Sequence, residues 1–426
     1  MRPPFSQFVR KLVFISPFVF PAYLLRFQVV GIPFTAAEIF IYLLFGLWIL
    51  SLFQAHRQVD WDVKTRWYWY VVFLILTGAT LGALTAPDFL SLPSGEILNA
   101  KRATLGVWKG WAMAPILYFA VLTQVLKTEA DAEKILRSLI YSATLVCLLA
   151  YFFGLFGAGI TIDLRLRGFY ESANYLALYI VPAVLINIYF LLRCGTAPPS
   201  HQDYIDLSTL VVLLYSLFFT QSYAGVIGVF GALGLYALYF LFKNPKQRKK
   251  IGVSLLILTA TFVVIIVSQL NTPKFRQFLD FKNRSSTTVR LEIYQTSYHL
   301  VKNNIFTGIG PGLFQANYQI SAPEVLERAP LEWNMPHSHN IFIGFWLNAG
   351  LIGLIAFLIL IVLCHTSFTF PLIALWGILV HGLFDMPFWK NDLAMIFWLI
   401  VASVLVLQKL SLKKAQNPKL ETRKKS

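Results

Sequence analysis

Residues 337–364 read HSHNIFIGFWLNAGLIGLIAFLILIVLC, and from Ile341 to Cys364 the stretch runs 24 residues without an Asp, Glu, Lys, Arg or His. As a helix, at about 1.5 Å per residue, it would reach ~36 Å, enough to cross the roughly 30 Å hydrocarbon core of a bilayer. Such a segment must satisfy its backbone polar groups internally, so a helix is the expected form. It opens on His337, His339 and Asn340, which places ionisable side chains at the mouth of a membrane helix. A charge-capable group at that boundary costs free energy unless it is wetted or paired, which makes it a functional-site candidate by default.

The same apolar texture extends over the chain. The 426 residues are 57% hydrophobic and 13% charged, with a mean hydropathy of +0.64, far from the balance of a soluble domain. We read an all-α polytopic membrane protein with about twelve transmembrane helices, because a β-barrel would instead show short alternating segments. The spans fall near 9–26, 34–54, 67–86, 106–126, 136–157, 173–192, 206–220, 223–242, 251–270, 338–363, 367–385 and 390–408. Residues 1–426 then form a single transmembrane domain. Within it lie a long loop at 271–336 and a basic tail at 409–426. Arg290 to Asn303 reads as a helix inside the loop, with Thr287 and Thr288 placed to cap it, and Gly308–Gly312 reads as a turn. The basic start before an apolar stretch resembles a signal peptide, but Pro17 and Pro21 interrupt it, so a retained first helix is expected.

The formal charge of +16 does not point to nucleic acid. Residues 243–250 and 409–426 hold twelve Lys and Arg against Glu421 alone, which accounts for eleven of the sixteen excess charges. Both stretches follow apolar helices directly, the placement that fixes a cytoplasmic side. Both termini are then cytoplasmic and the long loop is periplasmic. Cys147, Cys194 and Cys364 form neither a disulfide framework nor a zinc spacing.

That topology sends Arg165, Arg167, Arg290, His337 and His339 to the same outer face, although more than 170 positions of sequence separate the first from the last. Arginine is always protonated and offers a planar fork of donors that matches phosphate, so these groups suit a lipid-linked phosphate or diphosphate. The plainer alternative has them meeting headgroups or pairing with Asp163 and Glu171. His339 offers an imidazole able to accept a proton near neutral pH; the plainer alternative is a His that caps a helix start or hydrogen-bonds a loop. A His-x-His metal site lacks neighbouring carboxylate or Cys ligands in sequence, and no metal or cofactor is expected. Gly350 and Gly353 are read as sites of close helix approach. His381 and Asp385 stand four apart and are read as one helix face, pairing structurally or orienting the site, with the structural role favoured. His56, His201 and His365 fall on the inner side and receive no functional weight.

Three motifs together resemble the O-antigen ligase and O-antigen polymerase superfamily. They are Arg165-Leu-Arg167-Gly168 followed by Asn174-Tyr-Leu-Ala177, then Arg290 heading a helix that runs on to Gly308-Ile-Gly-Pro-Gly-Leu-Phe314, and Pro336-His-Ser-His-Asn340 through Gly350 and Gly353. Leu379-Val-His-Gly-Leu-Phe-Asp385 is similar to the family's penultimate helix. The resemblance implies a class C glycosyltransferase-like fold, a periplasmic site and metal-independent transfer from a polyprenyl-diphosphate-linked glycan. Arg290 with Arg165 or Arg167 would hold the diphosphate, and His339 would be the essential histidine. His337, Asn340, Asn174, Gly350, Gly353, His381 and Asp385 would support them. Two departures stand out: Asn348 where many members carry an acid, and Ser222-Tyr223 where Ser-Arg is frequent.

On this reading a hydroxyl attacks the anomeric carbon with inversion and the diphosphate leaves. The partners are the lipid bilayer, the donor, and a glycolipid, glycan or protein acceptor, among which the sequence does not choose; nucleic acid is not a partner. A transporter or flippase is the rival from another class. Such proteins place polar groups at the midplane of broken helices, whereas here they gather at one boundary.

Overall fold

In the computed structural model, residues 4–29, 32–54, 62–193, 198–272, 275–276 and 284–416 are described. His56, Cys194 and the tail from 417 onward lie outside them. The helices are α1 (Pro4–Val19), α2 (Ala36–Gln54), α3 (Val63–Thr85), α4 (Ala100–Val107), α5 (Ala114–Val125), α6 (Glu129–Leu155), α7 (Ala173–Arg193), α8 (His201–Thr220), α9 (Tyr223–Lys243), α10 (Arg248–Gln269), α11 (Ser286–Asn303), α12 (Phe314–Leu326), α13 (Ile341–His365), α14 (Leu372–His381) and α15 (Asn391–Gln416). Two small antiparallel hairpins, β1–β2 (Arg26–Val29, Ile32–Thr35) and β3–β4 (Phe89–Ser91, Ile97–Asn99), complete the described elements.

Every segment expected to span the membrane contains a helix. Among the described residues ten helices are long and apolar enough to cross, with α4 and α5 joined into one by a π-helical stretch, Trp108–Met113. The remaining two segments are shorter. α1 has 16 residues and carries Pro17, and α14 has only ten. A ten-residue helix is about 15 Å long and cannot span hydrocarbon alone. Its continuation, residues 382–390, is irregular chain that is mostly buried against other helices, the setting in which such backbone is tolerated at membrane depth.

The core is organised around α15, which is buried on all sides from Asn391 to Gln408. An apolar helix without a polar face has this central place. α13 packs on α3 through glycine: a Cβ at Gly78 would sit 2.3 Å from the Ala349 carbonyl and 2.9 Å from the Gly353 nitrogen. Small residues at this crossing let the backbones approach, and dispersion between them replaces the hydrophobic drive that lipid does not supply. α10 packs on α9 and buries only Gln269 among its own residues.

Gly350 has a different role from the one expected. It adopts φ +65° and ψ −172°, a region open to glycine, and it breaks α13. The chain after α11 threads into the break. Ile309 N–H donates to the Leu347 carbonyl at 2.8 Å and Leu351 N–H to the Ile305 carbonyl at 3.1 Å, so the groups freed by the kink are satisfied. Asn348, inside α13, accepts the Gly312 N–H at 2.9 Å. Gly308, Gly310 and Gly312 all take positive φ, as the expected turn requires.

α9 runs from the turn at Ser222 to Lys243, and α15 runs from Lys390 to the basic stretch that includes Lys409, Lys413 and Lys414. Both basic clusters therefore lie at the opposite ends of these helices from the histidines.

Candidate functional site

The histidines are positioned by the cap of α13. Asn340 accepts N–H bonds from Phe342 at 3.0 Å and Ile343 at 3.1 Å, and its own Nδ2 donates to the Leu383 carbonyl at 3.2 Å. Ile341 N–H donates to the Gly382 carbonyl at 2.7 Å, and the Tyr294 hydroxyl of α11 donates to the carbonyls of His339 (3.1 Å) and Leu383 (3.3 Å). These bonds tie residues 339–341 to 382–383, a point 43 positions later. The residue beside His339 is thus a helix cap and a tie in one side chain.

His339 takes φ +49°, left-handed for a non-glycine residue, and the bend brings its ring centroid to 4.3 Å from that of His337. Both rings face Asp385. Its Oδ1 lies 3.4 Å from His339 Nδ1 and 3.8 Å from His337 Nε2, and it accepts the Met386 N–H at 2.9 Å. Asp385 is therefore not paired with His381 along one helix face, because α14 ends at His381 and three turn residues intervene. Burial, with His339 next, drives His337 down to about 3, so His337 is neutral at pH 7.

His337, His339 and Asp385 carry ligand atoms that all lie within 4.8 Å of one another, a set able to attract a cation. Against that, the His339 N–H points at His337 Nδ1 across 3.4 Å. Metal binding through Nε2 would place the ring proton on Nδ1, donor against donor, whereas ligating histidines present that nitrogen to an acceptor.

The arginines divide. Arg165 is buried; its Nε donates to the Thr220 carbonyl at the end of α8 at 2.8 Å and its Nη2 to Asn174 Oδ1 at 2.6 Å. A guanidinium on the last carbonyls of a helix meets both an orphan acceptor and the negative end of the dipole. Arg167 turns onto its own loop, donating to the Tyr170 carbonyl at 3.1 Å and the Ala158 carbonyl at 3.4 Å. Arg290 sits in the second turn of α11 rather than at its head, because Ser285, with Thr288, forms the cap. Its Nε is buried and has no hydrogen-bond partner, and its Nη1 makes one long bond of 3.4 Å to the Ser286 carbonyl. Arg290 lines a narrow cleft with Asn174, Gln221, Ser222, Tyr223 and Phe384, within electrostatic reach of Arg165 and His337.

Residues 208–358, from α8 to the second half of α13, match the family model described as O-antigen ligase. This segment, about a third of the chain, is similar to the O-antigen ligase superfamily. The matched region holds Arg290, His337, His339, Gly350 and Gly353, while Arg165, His381 and Asp385 join it only in space. No curated protein matches the chain. The match and the ten candidate spans support a multi-pass membrane enzyme of the O-antigen ligase or polymerase kind. Asn348 and Ser222, where the chain departs from its family's pattern, are both engaged in the fold. Asn348 holds the glycine turn, and the Ser222 hydroxyl caps α9 by accepting the Gly225 N–H at 3.3 Å.

Sequence reasoning placed Asp385 on a structural face and passed over Tyr294, Tyr175 and Lys390. An apolar loop rich in aromatics, Met386-Pro-Phe-Trp-Lys390, was the available signal that residues beyond α14 turn inward.

Proposed function

We propose that the chain transfers a glycan from a polyprenyl-diphosphate donor to an acceptor hydroxyl on the periplasmic face of the bacterial inner membrane. The carrying observation is the junction of a His–Asp pair with a part-buried guanidinium whose Nε lacks a hydrogen-bond partner. His339 takes the acceptor's proton, and Asp385 orients the ring and stabilises the imidazolium that forms. The acceptor oxygen bonds to the anomeric carbon from the face opposite the departing diphosphate, so the configuration inverts. Arg290, with Arg165 behind it, meets the charge that develops on the leaving oxygens, and in a water-poor cleft such fixed charges act strongly. Arg167, bound to its own loop, plays no part in the clamp.

The tautomer argument at His337 favours proton transfer over a metal centre. Lipid core glycan, a second lipid-linked repeat and a protein hydroxyl share the chemistry required of the acceptor. The purified protein in detergent with EDTA should release polyprenyl diphosphate from a lipid-linked glycan when an acceptor is added. His339→Ala should abolish release while donor binding persists, and His337→Ala should retain measurable turnover. Loss in both variants with activity restored by zinc or manganese would replace the base with a metal site.

A further inference from the structure

Lys390 immediately precedes α15, and the transfer chemistry above does not use it. The residue is 7% exposed and its Nζ has no hydrogen-bond partner. It stands at a helix N-terminus, where the dipole disfavours a cation. Its charge is met by aromatic faces: Nζ lies 3.1 Å from the ring centroid of Tyr175, 5.0 Å from Tyr23 and 5.6 Å from Tyr170. The charged groups that act on it are Asp392 on its own helix, Glu171 before α7, Arg26 on β1 and Asp385. A buried ammonium without a hydrogen-bonded anion is costly, and a methionine would fill the same space without that cost.

Tyr175 links this cage to the site. Its ring meets that of His337 edge-on at 5.9 Å, and His337 in turn abuts His339. The far side of the cage is anchored as well: Asn391, next to Lys390, donates to Glu38 Oε1 at 2.5 Å and accepts from Trp111 Nε1 at 2.9 Å, while Lys109 pairs with Glu38.

We propose that Lys390 is a positioning residue for the transfer reaction: its ammonium holds the Tyr175 ring against His337 and so keeps both histidines turned toward Asp385. This rests on the reading of His339 as the base.

Lys390→Met should lower kcat by about 2- to 30-fold, the rate equivalent of a cation–π contact, with the donor KM unchanged. Lys390→Arg, which keeps a cation against the rings, should keep most of the activity. Tyr175→Phe preserves the ring and should be active. Tyr175→Leu should match Lys390→Met, and combining the two should cost no more than either alone. Wild-type kcat in Lys390→Met, or activity in Lys390→Arg as low as in Lys390→Met, would each overturn the proposal. His339→Ala is assayed beside them. If it is active, the base reading itself fails; if it is dead while Lys390→Met is unimpaired, only the role of Lys390 fails.

Discussion

Replacing Asp385 by Asn tests the central pair at constant size. The side chain is 1% exposed, and an amide oxygen can still accept the Met386 N–H, so the loop after α14 keeps its anchor. What disappears is a negative charge 3.4 Å from His339 Nδ1. In the transition state His339 becomes an imidazolium, and Coulomb's law at that distance with an effective dielectric near 20 sets a ceiling of about 5 kcal/mol. Charge-assisted hydrogen bonds contribute roughly 1.5 to 3 kcal/mol in practice, so kcat should fall by about 10- to 150-fold. The donor Kd should not move, because Arg290 and Arg165 carry the diphosphate. Single-turnover transfer at saturating donor measures the first quantity, and equilibrium binding of labelled donor the second. Should Asp385→Asn turn over within twofold of the wild type while His339→Ala is inactive, Asp385 is not the partner of the base. A weaker donor Kd with unchanged kcat would instead place the carboxylate in the donor site.

Arg290→Lys keeps the charge and loses the fork, so transfer at subsaturating donor should fall tenfold or more, the equivalent of about one charge-assisted bond. Arg284, which pairs with Glu332 at 2.5 Å in the same loop, should tolerate Lys, and equal losses at both positions would refute a specific clamp. Gly350→Ala would place a Cβ 2.0 Å from the Phe306 carbonyl in a backbone region closed to alanine, and should destabilise by about 2 kcal/mol or more in thermal unfolding. Gly46→Ala, with open space around its Cβ, should be neutral or slightly stabilising, since alanine exceeds glycine by roughly 0.5–1 kcal/mol in a helix.

The sequence by itself determined the helices and the gathering of the candidates at one end. Membrane spans are legible because lipid imposes a single local demand, that every backbone group be satisfied within an apolar segment of sufficient length, and residues 341–364 meet it without reference to any neighbour. The sidedness of Arg165, Arg290 and His339 followed from the same count. Tertiary structure decided which groups touch. Apolar segments of this kind show no face that names its partner, so nothing local says that Leu383 bonds to Tyr294 and Asn340, or that Asp385 swings past the end of α14 to meet two histidines. It also separated Arg165 from Arg167, two positions apart: one guanidinium reaches a helix end and Asn174, and the other folds onto its own loop. Gly350 marks the same boundary, because a glycine in an apolar run is compatible with both packing and breaking, and only the chain from Phe306 to Gly312 entering the gap fixes which.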